Sequence, residues 1–181
     1  MLRGMNAPTP PLADVSDQWA ALRCQSALTL PLASDLSAAG VVGWSPSAAV
    51  RYRLPRGRRT ALKTVPLLPS FVFVPFDAAD HAVDLGRNGR VARNWPFLFN
   101  GDRPALPVDQ LLAMNATQPT KPGDQFKPGD KVRFIVGPFH GIAGIILMKQ
   151  GRDRWLVDVN GSRLLVPGFL IRLEGVSTAP S

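Results

Sequence analysis

At 181 residues, 45% of them hydrophobic, the chain can fill one medium core or two small ones, which excludes a large enzyme core. The formal charge of +8 favours a polyanionic neighbour such as nucleic acid, because a basic field concentrates phosphate-bearing partners. The single cysteine, Cys24, excludes an internal disulfide and a Cys-based zinc cage, and the greasiest run, Ile142 to Met148, falls far short of the roughly 20 residues of a membrane span.

The first residues carry Arg3 and then Pro8, Pro10 and Pro11, without the continuous apolar stretch of a secretion signal. This predicts an unstructured tail over 1–17 and a cytoplasmic protein. Gln18 to Gln25 sets Trp19, Ala21 and Arg23 against Ala20, Leu22 and Cys24, a two-faced strand with Cys24 as core filler. Leu28, Leu32 and Leu36 then recur every four residues, Pro31 suits a first turn and Gly40 a stop, so Pro31 to Ala39 reads as a short amphipathic helix. Val41 to Leu54 reads as extended and runs into the turn-forming cluster at Pro55 to Arg58.

Phe71-Val-Phe-Val74, bounded by Pro69 and Pro75, has no polar alternation and predicts a central strand buried on both faces. Asp77 can cap a helix running to about Leu85, with Gly86 and Gly89 ending it. Pro107 opens another helix through Met114. Asn115 to Asp124 has no apolar periodicity and holds two prolines and a glycine, the composition of a linker. Beyond it the period changes. Lys131 to Val136, Ile142 to Met148, Arg154 to Val159, Arg163 to Val166 and Phe169 to Leu173 read as five short strands separated by Gly or Pro. A sheet this small exposes costly edges if flat, so closure into a barrel is expected. The predicted class is α+β: an α/β sandwich with a mostly antiparallel sheet over 18–116, a linker over 117–125, a five-stranded β-barrel over 126–175 and a frayed end over 176–181.

Phe126-Lys-Pro-Gly-Asp-Lys-Val-Arg-Phe-Ile-Val-Gly-Pro-Phe-His-Gly-Ile-Ala-Gly-Ile-Ile146 resembles a KOW motif, as found in NusG-type factors and several ribosomal proteins. Gly137, Gly141 and Gly144 agree with it, since they permit tight turns between the first two barrel strands. No Gly-Lys-Ser/Thr ends the run and a strand follows it, so it is not a phosphate-gripping loop. Trp19 and Val65-Pro-Leu-Leu-Pro-Ser-Phe-Val-Phe-Val74 resemble the NusG amino-terminal domain, with Ser70 where the family has glycine and Phe71 where it has tyrosine. Gly89-Arg-Val91 and the Pro104, Pro107 spacing also fit. The chain is thus similar to the NusG-like transcription elongation and antitermination factors over Gln18 to Glu174.

The resemblance implies an SH3-like KOW barrel and a monomeric adaptor without cofactor, metal or membrane contact. Its first domain would dock on the clamp helices of RNA polymerase through Leu67, Leu68, Pro69 and Phe71, helped by Trp19 or Trp44; the reading of Phe71 and Phe73 as core residues stays open. The role implied is to hold polymerase in its processive state and suppress pausing or termination. The barrel would recruit a ribosomal protein or termination factor through Phe139, Ile142, Asn160 and Ser162. The family often has an apolar residue followed by Gly-Arg where Asn160-Gly-Ser162 stands, which favours a specialised paralogue of the RfaH kind.

Arg51, Arg53, Arg56, Arg58, Arg59 and Lys63 form the densest basic run, with no acidic residue between Asp35 and Asp77. Placed near upstream or non-template DNA, six phosphate contacts would give a salt slope of only about −5, so DNA contact is expected to be auxiliary; a solvated loop is the competing reading. His81 and His140 lack companions at metal-ligand spacing, no nucleophile motif occurs, and Asp124 and Asp130 read as turn residues, so no enzyme is expected. The rival reading is a KOW-type RNA-binding or ribosome-associated protein.

Overall fold

The computed structural model describes residues 12–53, 60–99, 101–116, 126–135, 139–151 and 154–174. The 117–125 linker, the 176–181 end, Val136, Gly137 and Asp124 lie outside them. The fold is α+β. It divides into two compact units, one reaching Leu98 and including Arg103–Val108, the other made of Phe99–Asp102 and the chain from Asp109 on.

In chain order the structure has α1 (Leu12–Val15), β1 (Gln18–Arg23), α2 (Thr29–Ala38), β2 (Ser47–Arg53), β3 (Thr60–Pro66), β4 (Phe71–Pro75), α3 (Ala79–Arg87), β5 (Trp95–Pro96), β6 (Leu106–Pro107) and α4 (Val108–Ala116). The predicted tail ends early. Leu12 is buried on its helical turn, and the Trp19 indole N–H donates to the Ser16 carbonyl at 2.9 Å, tying that turn to the start of β1.

In the first unit β1 pairs antiparallel with β4, from Trp19 opposite Pro75 to Arg23 opposite Phe71, and β5 and β6 also pair with it. β2 and β3 form a separate antiparallel pair. One face of the main sheet, carrying Ala20, Leu22, Val72 and Val74, is covered by Leu32 and Leu36 of α2 and by Ala79, Ala82 and Val83 of α3. Burying each Val or Leu there contributes roughly 1.5–3 kcal/mol. α2 stops at Gly40, where the Val41 N–H reaches back to the Leu36 carbonyl at 2.9 Å, a bond that satisfies a carbonyl of the last turn. Asp77 does not cap α3. It lies in a single 3-10 turn, Phe76–Ala78, and no side-chain bond caps the helix.

The second unit has β7 (Lys131–Phe134), β8 (Ala143–Lys149), β9 (Arg154–Val159), β10 (Ser162–Pro167) and β11 (Ile171–Leu173), in the sheet order β10-β9-β8-β7-β11. Val132, Phe134, Ile146, Val157, Leu164 and Val166 fill its core. The ladder does not close among the described residues: β10 and β11 remain its edges. A 3-10 turn, Gly168–Leu170, carries the chain from one edge to the other, and the Ile135 N–H donates to the Leu170 carbonyl at 3.0 Å, which extends the β7–β11 pairing by one position.

In the described part of the KOW-like run Asp130 is a turn residue, as predicted. Its carboxylate accepts the Lys127 N–H at 2.7 Å, and its carbonyl accepts the Ile146 N–H at 2.9 Å. Gly144 serves differently from the expected turn: it lies inside β8, where a Cβ would meet Val157 Cγ1 at 2.6 Å and the Asp158 carbonyl at 2.9 Å. Only a residue without a side chain lets β9 approach this closely.

Candidate functional site

The second face of the first unit's sheet is built in rows. Phe71, Arg23 and Trp95 stand opposite one another across β4, β1 and β5, and Phe73 stands opposite Ala21. Phe71 meets Phe97 edge-on at 5.5 Å and Phe73 tilts against Trp44 at 5.8 Å, while the Arg23 guanidinium lies over the Phe71 ring at 5.9 Å.

This arrangement corrects the sequence reading. Leu67, Leu68, Pro69 and Phe71 do not form an outward ledge, because all four are buried, and Trp19 and Trp44 are buried as well. The chain turns inward there because residues distant in sequence hold it. The Leu67 N–H donates to the Pro46 carbonyl at 2.7 Å, and Ser70 adopts φ +77, the left-handed region where glycine would be unstrained. Ser70 is held in that turn from three sides. Its N–H donates to Thr29 Oγ1 at 2.9 Å, its carbonyl accepts from Cys24 N–H at 3.0 Å, and its hydroxyl pairs with that of Ser26 at 2.7 Å.

Trp95 is left half open, 42% exposed, at the rim of the aromatic rows. Beside it lies a groove of about 530 Å³ lined by Gln25, Leu28, Val83, Arg87, Arg93 and Asn94. Asn94 is fixed by its amide, which donates to the Ala82 and Ala92 carbonyls at 3.2 Å each and packs so closely on Gly86 that a Cβ there would lie 2.4 Å from Nδ2. Its Oδ1 is buried without a hydrogen-bond partner among the described residues. Arg87 pairs with Asp84 at 3.3 Å on the exposed face of α3. Sequence reasoning missed this groove because a two-residue strand gives no periodicity; the signal available was Trp95 joined to Pro96, a pairing suited to a sheet edge.

Of the basic run, Arg56, Arg58 and Arg59 lie outside the described residues. Arg51 stands opposite Leu62, Arg53 opposite Thr60 and Lys63 opposite Val50 in the β2–β3 ladder. Lys63 is exposed and Leu62 is 67% exposed.

In the second unit the predicted partner residues separate. Phe139 is buried against Phe134 at 5.5 Å, so it is core and not contact surface. Ile142 and Ser162 are half-buried, and Asn160 is exposed at φ +49 beside Gly161, whose N–H donates to the Asp158 carboxylate at 2.8 Å. Among the described residues, the large apolar side chains exposed in this unit are instead Ile145 and Met148.

Burial pushes the Cys24 thiol up from its ordinary value, the nearby Thr29 hydroxyl opposing it weakly, which keeps it an uncharged core group. The Arg103 guanidinium beside Asp80 holds that carboxyl below the usual aspartate value. His81 and His140 are exposed, and no cluster of three or more His, Cys, Asp or Glu able to hold a metal occurs among the described residues. No helix among them is long and apolar enough to cross a membrane.

No family model and no curated protein matches the chain. Among solved structures, it is similar to one described as domain interaction in Thermotoga maritima NusG, with 18% identity, 86% of this chain and 96% of that chain covered, and a TM-score of 0.39. It is also similar to the MjSpt4:Spt5 complex in conformation B, with 14% identity, 90% and 99% covered, and a TM-score of 0.28.

Proposed function

We propose that this chain is a transcription elongation factor of the NusG kind: a non-catalytic adaptor that binds RNA polymerase through its first unit, suppresses pausing or termination, and recruits a second protein through its KOW-like unit. The observation that supports this most is one combination. A KOW-like run folds as β7 and β8 of a five-stranded antiparallel sheet, in the same chain as an α/β unit whose sheet has an aromatic face ending in a half-open tryptophan.

With Leu67 to Phe71 buried, the docking contact moves to the rim, to Trp95 and the adjoining half-buried Leu28. A tryptophan with an open face is the usual kind of anchor in a protein interface. Arg87 and Arg93 along the groove, together with the basic β2–β3 pair, supply cations for the upstream or non-template DNA strand. The action on polymerase is a shift of conformational population by differential binding, with no bond made or broken.

Binding of the full chain to purified RNA polymerase tests the reading, with Trp95→Ala as the variant. The expected loss is about tenfold or more in affinity, the cost of one interface anchor. A wild-type chain that fails to bind polymerase overturns the proposal.

A further inference from the structure

β8 is part of the greasiest segment of the chain, yet only one side of it is buried. Gly144 and Ile146 face the core, whereas Ile145 is 46% and Met148 49% exposed. The irregularity between Ile146 and Met148 resets the alternation, so that Met148 comes into register with Leu156 on β9, and Leu156 lies opposite Leu165 on β10. Leu156 and Leu165 are half-buried. An aliphatic row therefore runs across three strands on the outward side of the sheet.

Next to it a second row holds Ile145 between Lys131 and Asp158, with Arg163 opposite Asp158. A third sets Arg133 opposite Ala143 and Arg172. Lys131, Arg133, Arg163 and Arg172 are all exposed. The acids on this side are engaged locally: Asp158 accepts the Gly161 N–H, and Glu174 is bonded to Arg133.

Single exposed apolar residues need no explanation, but an aligned row beside the exposed cations Lys131 and Arg163, with Asp158 between them, is an arrangement for a partner. We propose that this face receives an acidic amphipathic segment of a partner protein, with its apolar side chains on Met148, Leu156 and Leu165 and its carboxylates against Lys131 and Arg163. A nucleic-acid strand fits less well. Bases bind sheet surfaces by stacking on rings, and the described rings of this unit, Phe126, Phe134, Phe139 and Trp155, are all 5% exposed or less. The flexible thioether of Met148 suits it to packing against more than one aliphatic partner. This inference gives place and chemistry to the second protein of the proposed function and rests on that part of it, but not on polymerase binding.

The test follows the methyl NMR signals of Ile145, Met148, Leu156 and Leu165 in the full chain during three titrations: with a synthetic leucine–glutamate amphipathic peptide, with its leucine–lysine counterpart and with a single-stranded oligonucleotide. The acidic peptide alone is expected to move all four signals. Ile145→Ser with Met148→Gln, both at exposed positions, should weaken it about tenfold, and so should Lys131→Glu with Arg163→Glu. Unshifted methyl signals from buried Val157 and Leu164 report that these variants keep their fold. The proposal is overturned if the oligonucleotide moves the signals, if they shift with protein concentration alone as a second copy would cause, if no probe moves them, or if the folded variants bind unchanged. Polymerase binding is measured separately, so loss of one result leaves the other standing.

Discussion

The two larger sheets of this protein contain strands of similar greasiness and treat them in opposite ways. Phe71-Val-Phe-Val-Pro75 is buried at every position, with helices α2 and α3 on one face and Trp44 and Phe97 among the rings on the other. Ala143 to Lys149 is buried only where Gly144 and Ile146 face inward. Hydrophobicity along a strand therefore reports that at least one face is covered. Whether the second is covered depends on what the rest of the chain supplies, and on β8 Ile145 and Met148 are left about half exposed.

Core truncation separates the two sheets most sharply. Phe73→Ala removes a fully buried ring between Trp44 and the centre of the sheet and should cost about 3–5 kcal/mol, read as a lower denaturant midpoint. Met148→Gln, in the strand buried on one side only, should change stability by less than about 0.5 kcal/mol. Equal losses would show that the outward face of β8 is covered after all. Gly144→Ala tests the buried side of the same strand. The added methyl collides with Val157 and the Asp158 backbone, and overpacking of this kind costs about 1–3 kcal/mol.

A smaller effect, of opposite sign, is expected at the turn into β4. Ser70→Gly relieves the positive φ, which costs about 1–2 kcal/mol for a residue with a side chain, but it loses the bond to Ser26 and gains unfolded-state freedom. The net is a stabilisation of about 0.5 kcal/mol, visible as a slightly raised Tm. The smallest effect is expected at Asp80. Its folded-state pKa is lowered by Arg103, so its contribution is present above the ordinary aspartate value and is lost as the pH falls through the folded one. Asp80 is largely exposed, so Asp80→Asn should flatten the acid limb of a Tm-against-pH curve only slightly.

The strands and helices were legible where a period or a boundary residue marked them. β1, α2, β4 and β7 to β11 fall where alternation, four-residue spacing, prolines and glycines predict them, whereas α3 begins without an Asp77 cap and runs through Gly86 to Arg87. Faces were less legible. Leu67 to Phe71 looks like a surface step because prolines flank it, but the Ser70 turn and the bond from Leu67 to Pro46 fold it inward, and both are set by residues distant in sequence. Phe139 looks like a loop contact and is core because Phe134, across the loop, provides a ring to pack on. The Trp95 groove was invisible, since its walls come from the segment before α2, from α3 and from a strand too short to show a pattern. The outward row on β8 to β10 was hidden by the irregularity after Ile146, which no local residue pattern announces.

The claim on which the account turns is that this protein acts by holding on to transcribing RNA polymerase. Single-round transcription through a known pause site, with purified polymerase and the full chain added or withheld, tests it most directly. The account predicts a shorter pause when the wild-type chain is added and a much smaller change with Trp95→Ala. An unchanged pause, at chain concentrations that also give no association with polymerase, would contradict it.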